Sequence, residues 1–178
     1  MPKLERLDWL DPPGAGRGVT ITDQPEVNLW LYENPAGLMI GVLLDSQYRT
    51  KAAFASPYYL WQRLGHLDMP TIANFDPDEF KTVFKQPNAL HRFPNKFADL
   101  TQRLARHVTD NYEGWTERIW VEATGTEDLG QRLLGLPAFG IEKTNWTIGM
   151  LGRLEMLPFD GWQEYRVTKG RKKPPKTS

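Results

Sequence analysis

The residues from Leu136 to Gly140, Leu-Pro-Ala-Phe-Gly, form a predicted tight turn between two apolar helical runs. Pro137 stops the first run, and Gly140 lets the backbone approach a neighbour closely. The second run begins with backbone amides at residues 141–143 that have no intrahelical partner, which suits an anion such as phosphate. Lys143 could add a charge-assisted contact. The alternative is a helix-to-helix connection without a ligand.

Asp160 is a lone acid just beyond the second apolar run. It stands within Pro158-Phe-Asp-Gly161, a sequence of turn-forming residues. The residue types alone therefore favour a β-turn at this position. A catalytic role for the carboxylate requires a further pattern in the chain.

Composition excludes several kinds of site. The chain has 178 residues, of which 40% are hydrophobic, enough for one ordinary domain or two small ones. It contains no cysteine, which excludes disulfides, thiol nucleophiles, thiolate zinc sites and cysteine-held iron-sulfur clusters. Its three histidines lack the spacing of a helical metal pair, so we expect no metal site.

Charge and hydropathy favour no particular class of partner. Acidic and basic side chains balance at 22 each. The segment 169–178 holds five positive charges and no acid, so it could attract phosphates or serve as a solubilising tail. The apolar run Gly37–Leu44 falls short of the roughly 20 residues that a membrane helix needs. The N-terminus has charges in place of an apolar signal core, so we expect a cytoplasmic protein without a membrane partner.

Helical periodicity begins at Pro35 and continues through most of the chain. Strand signals are almost absent, so the predicted fold class is all-α. An aspartate cap, a proline and two acids open one helix at Asp76. The predicted helices cover residues 35–48, 52–64, 76–84, 94–111, 115–123, 126–134 and 141–151. Residues 11–24 are predicted to be a loop with a short extended piece at 19–22, and their glycines do not form a nucleotide-binding motif.

Leu-Pro-Ala-Phe-Gly resembles the L-P-G-h-G hairpin of the helix-hairpin-helix (HhH-GPD) DNA glycosylases, the superfamily of endonuclease III, MutY and the alkyladenine glycosylases. That family's catalytic aspartate follows the hairpin at a fixed distance, and Asp160 lies 20 residues after Gly140. The segment 38–47 is similar to the family's L-I-x-V-L-L-S-x-Q helix, and 93–100 resembles its F/Y-x-x-K-A helix start. The chain is also similar to small bacterial base excision repair proteins with L-P-G-F-G-x-x-K and a downstream G-W. The resemblance covers about residues 28–162.

The resemblance implies a two-lobed helical glycosylase fold with a reduced second lobe. A loop-rich segment, 1–34, would join the second lobe, and a helical domain, 35–151, would end in the hairpin helices. Residues 152–168 would complete the second lobe and carry Asp160, before the basic tail 169–178.

The resemblance also implies roles for individual residues in extruding a base and hydrolysing its bond to the sugar. Asp160 would stabilise the positive transition state and activate water. Gln47 would fill the space that the base leaves. The predicted DNA contacts are Gln47, Pro137, Phe139, Gly140, Ile141, Lys143 and Thr144. Aromatic candidates for the base pocket are Trp30, Tyr48 and Trp146.

Two residues depart from the family pattern. Bifunctional members have a Schiff-base lysine where this chain has Glu142, so the prediction is a monofunctional glycosylase without appreciable lyase activity. Ala138 replaces the first glycine of the hairpin, which would cost roughly 1 kcal/mol if that position is left-handed.

The expected partner is double-stranded DNA containing a damaged base, bound by a monomer at the nucleoid. No iron-sulfur cluster or other cofactor is expected, except that a monovalent cation could bind at the hairpin. Two alternatives remain: a non-catalytic helix-hairpin-helix protein that binds DNA regardless of sequence, and a helical protein-interaction scaffold.

Overall fold

The computed structural model describes residues 21–165, and all regular structure within them is helical. This confirms the all-α prediction for that part of the chain. The helices are α1 Pro25–Glu33, α2 Pro35–Leu44, α3 Thr50–Leu64, α4 Met69–Ala73, α5 Pro77–Lys85, α6 Pro94–Tyr112, α7 Arg118–Val121, α8 Thr126–Leu134 and α9 Ile141–Arg153, followed by a 3₁₀ turn at Trp162–Glu164. The basic tail 169–178, residues 166–168 of the predicted second lobe, and the glycines at 14, 16 and 18 lie outside the described residues.

Local sequence signals account for several helix starts. Proline occupies the first turn of α1, α2, α4, α5 and α6, where its fixed φ suits the helix and its missing amide costs no hydrogen bond. The carboxylate of Asp76 accepts hydrogen bonds from the amides of Asp78 and Glu79, at 3.0 and 2.9 Å. The predicted cap of α5 is confirmed.

Helix α1 was not predicted, because residues 1–34 were expected to be loop-rich. Val27 and Leu31 are both buried and stand one helical turn apart. Between them, the side chain of Asn28 accepts a hydrogen bond from the amide of Thr22 at 2.7 Å. Four of its five apolar residues are consecutive, at 29–32, so the segment shows no clear helical period in the sequence. Packing against α2 and α3 stabilises the helix.

The core surrounds α2, whose residues Gly37–Leu44 are all buried. Helix α2 packs against α1, α3 and α6, while α6 also packs against α4 and α5. The predicted inner face of α6 is confirmed, since Phe97, Leu100, Leu104 and Val108 are buried. The predicted extension of α2 to Tyr48 was wrong. The helix ends at Leu44 because Asp45 leaves the helical conformation, with φ −77° and ψ 60°, and Gln47 then adopts a left-handed one.

Helices α8 and α9 pack together, and the 3₁₀ turn packs against α9. The ring of Trp162 lies directly over Gly152, where an added Cβ would come within 2.1 Å of the indole. Glycine at 152 is therefore needed for this packing. The segment 115–123 forms a shorter helix than predicted, α7. No helix among residues 21–165 combines the length and apolarity that crossing a membrane requires.

Candidate nucleic-acid interface

The hairpin between α8 and α9 is a tight turn held by two buried side chains, Leu136 and Phe139, which are 3% and 6% exposed. The amide of Phe139 donates to the carbonyl of Leu136 at 3.3 Å. Ala138 is exposed at the tip, with a φ of 61°. Alanine therefore occupies a left-handed position that favours glycine, which is the condition under which it would cost roughly 1 kcal/mol.

The N-terminus of α9 is open to solvent. Gly140 is its N-cap residue, no side chain caps the helix, and the amide of Thr144 makes the first bond, back to Gly140, at 3.0 Å. The amides of residues 141–143 therefore precede the helical ladder. Ile141 is 63% exposed, whereas Thr144 is 2% exposed and its amide already bonds to Gly140, so the structure does not present Thr144 to a strand.

Glu142 is exposed in the same first turn. Its negative charge interacts favourably with the positive end of the helix dipole, but it opposes an approaching phosphate. Any anion bound at this helix end must therefore approach from the side away from this carboxylate.

Lys143 does not extend along the hairpin. Its ammonium donates to the carbonyl oxygen of Leu43 at 3.1 Å and to Oγ of Ser46 at 2.8 Å. It also lies 5.5 Å from the centre of the Phe139 ring. The first turn of α9 is thus connected to the end of α2. Lys143, which was predicted to bind a phosphate, already has protein partners there.

Residues 45–49 connect α2 to α3, and we call them the Gln47 loop. Gln47 is exposed and has a φ of 53°, so its side chain projects from a left-handed turn. At the base of the loop, the hydroxyl of Thr50 donates to Oδ1 of Asp45 at 3.1 Å. The lysine contact to Ser46 places this loop beside the hairpin helix.

His91 supports the same loop, although no sequence pattern indicated a role for it. Its Nε2 lies 3.0 Å from the carbonyl of Leu44 and 3.2 Å from that of Ser46, while Nδ1 accepts from the amide of Phe93 at 3.0 Å. Nε2 must therefore carry the proton, because carbonyl groups only accept. The ring stacks on Phe97 with a centroid distance of 3.6 Å.

The surroundings of His91 favour its neutral form. Burial lowers its pKa below the ordinary value, and the charges of Lys143 and Lys96 lower it further. The hydrogen bonds to Leu44 and Ser46 oppose this shift. A neutral imidazole is also the form that can accept from the Phe93 amide.

Asp160 is exposed in a bend after α9 and is followed by Gly161, which has a φ of 97°. A Cβ on Gly161 would lie 3.5 Å from Cγ2 of Thr126, the first residue of α8. The hairpin joins the other ends of α8 and α9. From Lys143 to Gly152, α9 rises about 13 Å. The structure therefore brings the hairpin and the Gln47 loop together but does not bring Asp160 to them.

The three aromatic pocket candidates lie in different surroundings. Trp30 packs against Tyr58 and Trp61, with ring centroids 5.4 and 5.8 Å away. Trp146 is 9% exposed and lies 5.8 Å from the Phe54 ring. Both rings belong to the packing of the fold.

Tyr48 is the candidate that lines a groove, whose volume is about 480 Å³. Its ring lies 4.5 Å from the ring of His91. Arg49 and Lys51 also line the groove, and Lys51 pairs with Asp23 at 2.6 Å. This groove opens beside the Gln47 loop.

Among residues 21–165, no three histidine, aspartate or glutamate side chains are grouped closely enough to hold a metal ion. Comparisons of the chain with protein-family models, with curated proteins and with solved structures found no match. Support for a function therefore comes from the resemblance of its motifs and from the geometry of the hairpin, the Gln47 loop and Asp160.

Proposed function

We propose that this chain is a monofunctional DNA glycosylase of base excision repair, built on the two-lobed helix-hairpin-helix fold. The observation that carries the proposal is the connection between the hairpin helix and the Gln47 loop through Lys143. A glycosylase needs one element that grips the backbone and another that enters the base stack. Here these two elements lie side by side.

In this proposal the open end of α9 binds a phosphate through its amides. Gln47, exposed on a left-handed turn, enters the duplex and replaces the extruded base. Asp160 supplies the carboxylate that stabilises positive charge on the sugar as the bond to the base breaks. Glu142 in place of a Schiff-base lysine fits hydrolysis without strand cleavage.

The second candidate is a non-catalytic protein that binds duplex DNA without sequence preference. The separation of Asp160 from the hairpin along α9 favours this candidate, because a catalytic carboxylate must lie at the reacting sugar. Both candidates use the same DNA-binding face. They differ only in whether a base is removed.

Duplexes that each contain one uracil, alkylated, oxidised or deaminated base distinguish the candidates. After incubation, alkali cleaves any abasic site. The glycosylase proposal predicts excision of at least one base, its loss in Asp160→Asn, and DNA binding that Asp160→Asn retains. Glu164→Gln, which removes another exposed acid close by, is the matched control and should excise normally.

Binding to duplexes without excision of any base would favour the second candidate. If the protein binds none of the duplexes at low salt, both DNA proposals fail. The helical interaction scaffold would then be the remaining interpretation of the fold.

A further inference from the structure

The C-terminus of α2 is buried, so its last four carbonyl groups require partners from outside the helix. The amide of Asp45 contacts the carbonyls of residues 41 and 42, at 3.1 and 3.2 Å. For Leu43 the partner is the ammonium of Lys143, and for Leu44 the amide of Ser46 is one partner. Nearby backbone amides therefore bond only some of the last four carbonyl groups of α2, and the carbonyl of Leu43 depends on a side chain.

The other partner of Leu44 is the imidazole of His91, which also contacts the carbonyl of Ser46. Lys143 contacts the hydroxyl of the same serine. Two side chains from distant segments thus converge on one residue, immediately before Gln47. A cation at a helix C-terminus also interacts favourably with the helix dipole.

We propose that Lys143 and His91 are positioning residues that hold the Gln47 loop in its left-handed conformation at a fixed distance from the hairpin. This role in DNA recognition rests on the function proposed above. Holding both elements in place before binding lowers the entropy lost when the complex forms. In this role Lys143 acts through its contacts with Ser46 and Leu43 and does not itself bind a phosphate of the DNA.

Hydrogen exchange of the free protein tests the positioning role without DNA. In Lys143→Met, the amides of residues 45–49 should exchange about tenfold faster or more, because a charge-assisted hydrogen bond is lost. Lys143→Arg, which keeps a donor, should restore much of the protection. Lys85→Met removes an exposed lysine from the last turn of α5 and should leave the loop unchanged.

Ser46→Ala provides a milder test in case Lys143→Met does not fold. It removes one acceptor of the lysine and leaves the carbonyl of Leu43 in place. Faster exchange confined to the Gln47 loop would support the proposal. Unchanged exchange in both Ser46→Ala and every folded Lys143 variant would overturn it.

The imidazole is tested by His91→Phe, which retains an aromatic ring over Phe97 but removes both hydrogen-bonding nitrogens. His91→Gln keeps an amide donor that can reach the carbonyl of Leu44. We expect faster loop exchange in the first variant and partial rescue in the second. Equal exchange in the wild type and in His91→Phe would overturn the role of His91.

Salt titration of duplex binding separates positioning from phosphate contact. If Lys143 contacted a phosphate, Lys143→Met would lower the slope of log K against log salt by about 1. The positioning role predicts weaker binding, by about tenfold, with an unchanged slope. A lowered slope with unchanged loop exchange would overturn the proposal. If the wild type bound no duplex, the DNA function would fail, while hydrogen exchange would still decide whether these residues hold the loop.

Discussion

The ammonium group of Lys143 lies 3.1 Å from the carbonyl oxygen of Leu43, a residue 100 positions earlier in the chain. Together with the bond from the same ammonium to Oγ of Ser46, this contact connects the hairpin helix to the end of α2, whose residues 37–44 are all buried. It also means that a residue expected to bind DNA directly has a structural partner in the free protein.

We expect Lys143→Met to lower the free energy of unfolding by about 1.5–3 kcal/mol, the range for losing a hydrogen bond from a charged group. The carbonyl of Leu43 would be left without its donor at a buried helix end. Urea unfolding measures the effect, with Lys85→Met as the control, which should stay within about 0.5 kcal/mol of the wild type. Equal stability of the two variants would contradict the capping role.

Ala138→Gly should stabilise the protein by up to about 1 kcal/mol. Relief of the left-handed strain at a φ of 61° outweighs the greater chain entropy of glycine in the unfolded state. The same exchange inside a helix, Ala52→Gly in α3, should cost about 1 kcal/mol. Changes of opposite sign in the free energy of unfolding of these two variants, measured with urea, would confirm the strain at the hairpin tip.

Gly152→Ala should displace Trp162, since the new methyl group would overlap the indole at 2.1 Å. Overpacking of this kind costs about 1–3 kcal/mol. The change should appear in tryptophan fluorescence and in thermal unfolding. If Asp160 is catalytic, excision should fall much more than DNA binding, because the displaced turn lies next to it.

Gly130→Ala is the matched control for this substitution. A Cβ at residue 130 would lie 3.9 Å from Ile148, an ordinary van der Waals contact. Since alanine is the better helix former, this variant should be more stable by up to about 1 kcal/mol. A similar loss of stability in Gly152→Ala and Gly130→Ala would show that the overlap with Trp162 is not the cause.

Stability should fall as the pH drops below the unfolded-state pKa of histidine, about 6.5. Burial lowers the pKa of His91 and of His107 in the folded protein, so the unfolded chain binds more protons in this range. Their contribution is complete above that pH and is lost as the pH falls toward the folded-state pKa values.

Urea titrations between about pH 5 and 7.5 should show this slope in the wild type. His91→Gln and His107→Gln should each flatten it, by at most about 1.4 kcal/mol per pH unit for one proton. The double variant should flatten it further. An unchanged slope in the double variant would mean that other groups control acid stability.

Local sequence patterns predicted much of the fold. The buried face of α6 follows from the spacing of Phe97, Leu100, Leu104 and Val108, and the cap at Asp76 is a purely local interaction. Helix α1 was missed because four of its five apolar residues are consecutive, at 29–32, so the segment shows no clear helical period. Its stability comes from contacts with α2 and α3, which residue spacing within the segment cannot reveal.

The candidate site was predictable only in part. The turn at residues 136–140 follows from residue types near one another in sequence. The left-handed backbone at Ala138 does not, because alanine has no preference for it, and only the resemblance to a hairpin with glycine there suggested it. The carbonyl groups that His91 and Lys143 contact are more than 40 residues away in the chain, and a carbonyl has no sequence signature. The catalytic role of Asp160 stays a prediction, because its family spacing does not place it beside the hairpin.

The convergence of Lys143 and His91 on Ser46 has a consequence for how the protein is made. During synthesis, residues 45–49 emerge early, yet the side chain that binds Leu43 belongs to a helix made 100 residues later. The contacts of Lys143 with Leu43 and Ser46 can therefore form only after α9 has been made and has docked. The loop that carries Gln47 thus gains its last stabilising contacts late in the synthesis of the fold.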